Sequence, residues 1–286
     1  MKIQRQYHYF ISGLSDLSFD DKKEWTSIPS FKKILEDQLH PDDYEQVKLV
    51  FLKDDHRNLI KFLENGEMDE EGPGNFTPDH FRDQISLFSA ILPSEDILPP
   101  YMVQILRENI SDEAEINTVQ ISHMLAEGYY RYIIEKGTPF LKALNEFDYN
   151  LNNLIAFMKT GEYLLDQKQF ITGDSGHAGH LRSFAGKNLM KDHEFEYFEE
   201  ILSYTESLSF AEEEMKYDKL RWKVIEEMIF FEDFTLDWIL GYLEQMLIIS
   251  RWSSLKRESG EAKLRRIMNE SWQETLKSKE IENDSV

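Results

Sequence analysis

Apolar residues recur every three or four positions along most of the 286-residue chain, which is the spacing of one face of an α-helix. The pattern predicts helices over 29–39 and 41–65, separated at His40-Pro41 because the residue before a proline disfavours the helical conformation. Thr77-Pro78-Asp79 predicts another start, with a capping hydroxyl ahead of a proline. Further helices are predicted over 100–107, 111–133, 139–165, 192–208, 211–256 with a break at 231–235, and 264–272.

Two segments depart from the helical pattern. Residues 7–11 fit a short N-terminal strand or an extended anchor, and residues 172–188 form a Gly-rich stretch that we interpret as a flexible loop. We therefore predict an all-α fold, a bundle of roughly nine to eleven helices in a single domain over 1–276. Residues 277–286 are expected to form a disordered tail.

The chain also contains an internal similarity. Ten residues starting at 58 and ten starting at 153 are identical at six positions, including a closing Gly-Glu pair with which both copies are expected to end a helix. The motif starts at Asn58, Leu59, Asn153 and Leu154, with a weaker third copy at Asp237 and Trp238. We interpret these copies as pseudo-repeats of approximately 1–95, 96–190 and 191–276, the alternative being chance recurrence on buried helix faces. An asparagine inside such a helix either bonds to a neighbouring element or faces solvent.

Charge and composition exclude several classes of function. The 54 acidic and 32 basic residues give a formal charge of −22, which repels phosphate backbones and favours either a basic protein partner or solubility alone. There is no cysteine, so disulfides and thiolate metal sites are absent. The most apolar stretch, 228–250, contains four acidic residues, which disfavours a membrane span. We expect a cytoplasmic protein that does not bind nucleic acid.

Candidate chemistry is sparse. His177 and His180, with Asp174 upstream and His193 or Glu194 as a third ligand, are the weak candidates for a metal site of a hydrolase. Because the surrounding glycines make a poor platform for fixed coordination, we favour an ordinary loop. The chain has no His-Glu-x-x-His, P-loop or Gly-x-Ser-x-Gly motif. We therefore expect no catalytic residue, metal or cofactor.

The repeated asparagine-leucine motif carries a resemblance. Residues 55–59 and 153–154 resemble the acidic-x-x-Asn-Leu motif of the V-type ATPase C-subunit family, whose eukaryotic member is the d subunit. Residues 9–14 and the late Arg251-Trp252-x-x-Leu255 are similar to a bacterial family of unassigned function, whose members tend to be encoded among V-type ATPase subunits. Glu64 and Lys159 stand where the C-subunit motif closes, so only the second copy keeps the basic residue there.

The resemblance implies a funnel of three pseudo-symmetric helical units that sits on the membrane rotor ring and grips the central axle. Such a subunit serves proton or ion transport without an active site of its own. Its partners would be the axle and ring subunits, and it would lie at the inner face of the membrane through protein contacts only. The other hypothesis is an unrelated acidic helical adaptor that binds a basic partner.

Overall fold

The computed structural model of the chain describes residues 5–19, 26–67, 72–88, 97–110, 116–162, 167–173, 175–184, 195–205 and 209–257. The fold is all-α, and no strand occurs in these ranges. None of the helices within them is apolar over a length that would cross a bilayer. The α-helices in this part of the chain are α1 (His8–Ser12), α2 (Ile28–Gln38), α3 (Pro41–Asn65), α4 (Pro78–Leu87), α5 (Pro100–Asn109), α6 (Thr118–Lys136), α7 (Pro139–Glu162), α8 (Gly176–Phe184), α9 (Phe198–Leu202), α10 (Phe210–Ile229) and α11 (Leu236–Arg257), with 3₁₀ turns at Gln167–Phe170 and Ser203–Thr205.

Local signals in the sequence account for most helix ends. The helix predicted over 41–65 is confirmed as α3, with proline in its first turn and Gly66 at φ 76° after its end. The Thr77 side chain caps α4 by accepting from the backbone N–H of His80. Thr235 does the same for α11 through the N–H of Trp238, so the predicted break between α10 and α11 is confirmed. These residues satisfy donors that a helix start leaves unpaired.

The predicted N-terminal strand is wrong, because residues 8–12 form the short helix α1. The preceding backbone N–H of Tyr7 donates to the carbonyl of Phe234 at 2.7 Å, and the rings of His8 and Phe234 lie 4.2 Å apart. Since the described residues offer no neighbouring strand, a single helical turn packed on the α10–α11 connection satisfies this segment instead.

The interpretation of 172–188 as a flexible loop is wrong for residues 176–184, which form α8. The hydroxyl of Ser175 accepts the backbone N–H of Ala178 at 3.1 Å, as a helix cap does. His177, Ala178 and Leu181 are buried on one face, and this packing outweighs the low helix propensity of the glycines. Residue 174 and residues 185–194 lie outside the described part of the chain.

Two other predicted helices have different boundaries in the structure. The helix expected over 111–133 begins at Thr118 and continues to Lys136, with residues 111–115 outside the described ranges. Of the helix expected over 192–208, the structure describes residues 195–205, within which Phe198–Leu202 is α-helical and Ser203–Thr205 continue it as a 3₁₀ turn. The helix expected over 264–272 and the tail 277–286 also lie outside the described residues.

Two hydrophobic cores hold the helices together. The larger core contains buried side chains from α2, α3, α6, α7, α8, α10 and α11. The smaller core joins the last turns of α3 to α4, α5 and α6, with Leu59, Phe81, Met102 and Leu125 among its buried members. Because α3 and α6 contribute to both cores, they fix the smaller core against the rest of the fold.

Candidate functional site

A charged cavity of about 830 Å³ lies between α3, α6, α7, α10 and α11. Its walls carry equal numbers of formally acidic and basic residues, although the whole chain is strongly acidic. The charged lining residues are Lys53, Asp54, Arg57, Asp148, Asp218, Arg221, Glu244 and Arg251. Asp148, Asp218 and Glu244 are buried, and buried charges are costly unless they are paired, so the partners of these three residues determine what the cavity can bind.

Asp148 on α7 connects the helices on either side of it. Lys53 Nζ from α3 donates to Asp148 Oδ2 at 3.1 Å, and Arg221 Nε from α10 donates to Asp148 Oδ1 at 2.6 Å. Burial raises the pKa of the Asp148 carboxyl, but the charges of Arg221 and Lys53 outweigh that effect and hold the pKa below its ordinary value. The carboxylate therefore stays ionised and links three long helices.

Asp218 forms a second centre, which joins α10 to α11. It is 1% exposed and accepts a hydrogen bond from Arg221 Nη1 at 2.7 Å. The Arg251 guanidinium and the Trp252 indole N–H, the latter at 2.7 Å, both donate to its other oxygen. The Arg251-Trp252 pair noted in the sequence is thus the α11 end of this network.

Glu244 on α11 faces the same cavity and differs from the other charged residues. It is 8% exposed, and among the described residues it makes no hydrogen bond or ion pair. Burial raises the pKa of its carboxyl, and repulsion from Asp148 adds to this, while Lys53 and Arg221 oppose it. The cavity therefore contains one buried carboxyl group that the described part of the chain leaves without a hydrogen-bond donor.

Asn153, the second copy of the repeated asparagine, lies buried in the middle of α7. Its side chain binds the backbone of Thr172, donating to the carbonyl at 3.0 Å and accepting from the N–H at 2.9 Å. Thr172 belongs to the segment that returns along α7 after the helix ends. The asparagine thus fixes the return segment to the long helix with two hydrogen bonds.

Asn58, the first copy, is also buried. It lies against the segment that follows α3, which we call the return segment of α3. A methyl group added at Gly74 would lie 2.9 Å from the Asn58 amide nitrogen and 2.9 Å from an Asp55 carboxylate oxygen. Here Asp55 supplies the hydrogen bonds, accepting the backbone N–H groups of Asn75 at 2.6 Å and Phe76 at 3.1 Å. The two units therefore use different residues of the motif for the same kind of contact.

A lysine on α2 completes the contact in the first unit. Lys32 Nζ donates to the Gly74 carbonyl at 2.9 Å and to Asn75 Oδ1 at 2.8 Å. Burial lowers the pKa of Lys32 to about 8, and burial raises the pKa of Asp55 to about 6. The return segment of α3 is thus held between a partly buried cation and a buried carboxyl group.

The other residues of the repeated motif are less similar in their positions between the two copies. Leu59 and Leu154 are both fully buried, but Leu59 belongs to the smaller core and Leu154 to the larger one. Both Gly-Glu pairs lie at a helix end: Gly66 follows α3 in the left-handed conformation, and Gly161-Glu162 form the last described residues of α7.

The third copy occupies another position along its helix. Asp237 lies in the first turn of α11, close to Thr138 and Phe140 at the start of α7. The ring of Trp238 stacks on that of Tyr242 with centroids 5.4 Å apart. The aspartate thus contacts the start of a different long helix, not a return segment of its own.

The histidines considered as metal ligands both lie on α8. The His177 ring is buried 4.9 Å from the ring of Phe195, and the His180 ring lies 5.0 Å from that of Phe184. Within the described ranges, no group of three His, Asp or Glu residues is arranged to hold a metal ion. Asp174, His193 and Glu194 lie outside those ranges.

The ion pairs of the cavity were not predicted from the sequence, although the repeat contained a signal for them. Five residues before Asn58 is Lys53, and five residues before Asn153 is Asp148. These equivalent positions carry opposite charges and meet across the cavity at 3.1 Å. Extending the repeat towards the N-terminus and comparing charges at matched positions would have indicated this pair.

The fold and the cavity define an all-helical protein whose long helices surround a polar, internally paired site. Residues 4–275 match the family described as "Protein of unknown function (DUF2764)", and the chain belongs to that family. No curated protein and no solved structure matches the chain.

Proposed function

We propose that this protein is a non-catalytic coupling subunit of a V-type rotary ATPase that links the central axle to the membrane rotor ring. The observation that carries the proposal is the position of the cavity. Its walls come from α3, from α6 and α7, and from α10 and α11, which belong in turn to the three predicted repeats. This arrangement is the one expected of a socket assembled from three units.

The resemblance of residues 55–59 and 153–154 to the C-subunit motif supports the same proposal. Both segments lie on the long helices beside the cavity, where Asp55 and Asn153 fix the return segments. Ion pairs between α3, α7, α10 and α11 add cross-links between helices. A socket that passes torque needs helices joined in this way, because loosely joined helices would slide under load.

A second candidate function is an acidic adaptor unrelated to rotary ATPases. The observation that favours it is the formal charge of −22, which would attract a basic protein surface at long range. It shares the absence of catalysis with the first proposal but requires a different complex.

Purification of the native complex distinguishes the two functions. In cells that contain both this protein and a V-type ATPase, the tagged chain is purified from detergent-solubilised membranes. We expect the axle and ring subunits to co-purify with it, and we expect deletion of the gene to leave ATP hydrolysis uncoupled from ion transport. Recovery of an unrelated basic protein, with transport unchanged by the deletion, would instead identify an adaptor.

A pair of matched variants tests whether the cavity is the contact. Arg57 lines the cavity and is 71% exposed, and it pairs with Asp54 one helical turn away. Arg82 on α4 is 60% exposed and pairs with Asp79 in the same way, but it does not line the cavity. We expect Arg57→Glu to reduce recovery of the axle subunit and Arg82→Glu to leave it unchanged. Equal recovery with both variants would place the contact elsewhere.

A further inference from the structure

The formal charges of the described cavity residues sum to zero, but these residues are not all paired. Seven of its eight described charged residues make an ion pair with another charged residue, and Glu244 does not. Glu244 is 8% exposed and lines the cavity. A mostly buried carboxyl group with no donor from the protein takes its hydrogen bonds from whatever occupies the cavity, either water or a ligand.

The neighbouring cations are already engaged. Lys53 and Arg221 both donate to Asp148, at 3.1 and 2.6 Å. If either cation moved to Glu244, the Asp148 carboxylate would keep only one of its two ion-pair partners. A donor that satisfies Glu244 without disturbing this centre must therefore come from outside the described residues.

The walls of the cavity favour a cation as that donor. Tyr129, Tyr130 and Tyr149 line it together with Glu244, and the rings of Tyr130 and Tyr149 stack at 4.0 Å. Aromatic rings attract cations through their electron-rich faces, most strongly where water is excluded. The volume of about 830 Å³ also lies in the range of sites that take organic molecules.

We propose that this cavity binds an organic cation, a guanidinium or primary ammonium group, whose N–H donors pair with the carboxylate of Glu244. Guanidinium fits the site best, because its planar fork matches a carboxylate with two parallel hydrogen bonds and is weakly hydrated. A free metabolite and an arginine side chain of a partner protein would present the same chemistry. The site therefore does not depend on the proposed role in a rotary ATPase.

The test uses ligands that differ only in charge. Butylguanidinium is compared with butylurea, and a blocked Gly-Gly-Arg-Gly-Gly peptide with its citrulline counterpart, all at one ionic strength. Binding to the full chain is followed by NMR of isotopically labelled methyl groups of Leu247 and Ile248, which line the cavity. We expect each cation to bind about tenfold more tightly than its neutral counterpart, as a charged hydrogen bond implies.

The two cations distinguish the source of the ligand. If the peptide binds more tightly than butylguanidinium, the natural ligand is a protein side chain. If the peptide binds equally tightly or less tightly, the natural ligand is a free metabolite. Either result supports the site. Neutral ligands that bind as well as the cations would overturn it.

Variants provide an independent check. Glu244→Gln keeps the shape of the side chain and should abolish the preference for the cation. Glu213→Gln is the matched control, because Glu213 is 5% exposed on α10 and pairs with Lys159 but does not line the cavity. A preference for the cation that survives in Glu244→Gln would exclude this carboxylate as the binding group. If Glu244→Gln does not fold, the comparison of charged and neutral ligands on the unaltered chain decides the question.

Discussion

At the residue scale, Asp148 is the side chain on which most of the polar structure depends. It is the shared acceptor of a lysine from α3 and an arginine from α10, and its own side chain is 11% exposed. A buried charge with two partners is strongly favourable only while all three groups remain, because the loss of one leaves the others uncompensated.

We expect Asp148→Asn to lower the free energy of unfolding by about 3 kcal/mol at neutral pH, because it leaves two partly buried cations without their carboxylate. Urea unfolding followed by circular dichroism measures this change. Asp79→Asn is the control, since Asp79 forms a surface pair with Arg82, and pairs of that kind contribute about 0.5 kcal/mol or less. Equal effects of the two substitutions would contradict the role of Asp148.

The effect of Asp148→Asn should also depend on pH. The folded pKa of Asp148 lies below its ordinary value of 3.8, so its ionisation stabilises the fold above that pH. This contribution is lost as the pH falls through the lowered folded pKa. The difference in unfolding free energy between the original chain and Asp148→Asn should therefore stay constant from neutral pH down to the ordinary pKa of 3.8 and shrink as the pH falls further. A difference that stayed constant below that pKa as well would show that charge is not the cause.

At the element scale, the recurring feature is a long helix with a return segment fixed to its buried polar residues. Asn153 fixes the return segment of α7, and Asp55 with Lys32 fixes that of α3. Irregular segments need such contacts because their backbone groups have no ladder of their own. The repeat visible in the sequence therefore corresponds to similar surroundings of the two helices, reached through different side chains.

Two adjacent asparagines on α7 test this feature. Asn153 is 3% exposed and binds the Thr172 backbone twice, whereas Asn152 is exposed. We expect Asn153→Ala to lower the free energy of unfolding by about 2 kcal/mol, because buried backbone groups lose their partner. Asn152→Ala should leave stability unchanged or raise it slightly, since alanine is the better helix former. Chemical denaturation provides both values, and a small effect at Asn153 would show that the return segment is held by other contacts.

A glycine pair tests the same segment in another way. Gly173 has φ 71°, and a methyl group there would lie 1.9 Å from the hydroxyl oxygen of Tyr149. Gly66 has φ 76° with open space around it, so alanine there meets only the strain of the left-handed backbone, about 1 kcal/mol. We expect Gly173→Ala to lower the melting temperature clearly more than Gly66→Ala. Tyr149→Phe should recover part of the loss, and no recovery would contradict the proposed clash.

At the scale of the whole molecule, the net charge of the chain differs from that of the cavity lining. The chain has a formal charge of −22, but the described cavity has four acidic and four basic residues. The excess negative charge therefore lies elsewhere, and self-repulsion of this kind opposes the compact state.

We expect added salt to stabilise the protein at neutral pH. Raising the ionic strength from about 0.01 to 0.15 M shortens the screening length from about 30 to 8 Å, which weakens repulsion between distant surface charges. The buried pairs around Asp148 are screened less and should change little. Thermal unfolding at both ionic strengths measures the effect, with sucrose at equal osmolality as the uncharged control. A fall in melting temperature would show that attractive surface pairs dominate.

The sequence predicted more of the fold than of the candidate site. The helices from α2 to α5 and the break before α11 follow from apolar periodicity and from capping at residues such as Thr77 and Thr235. The α8 helix was missed because its stability comes from Ala178 and Leu181 packing into the larger core, while its glycines indicate a loop. The N-terminal segment was missed for the same reason, since its conformation depends on a contact with Phe234.

The sequence by itself determined the all-α class, the ends of most helices and the internal similarity around Asn58 and Asn153. These properties depend on residues within a few positions of one another, where helical geometry is local. Only the tertiary structure decided that Lys53, Asp148 and Arg221 meet and that Glu244 lacks a donor among the described residues. Such contacts join residues far apart in the chain, and they exist only once the helices have packed and excluded water from the space between them.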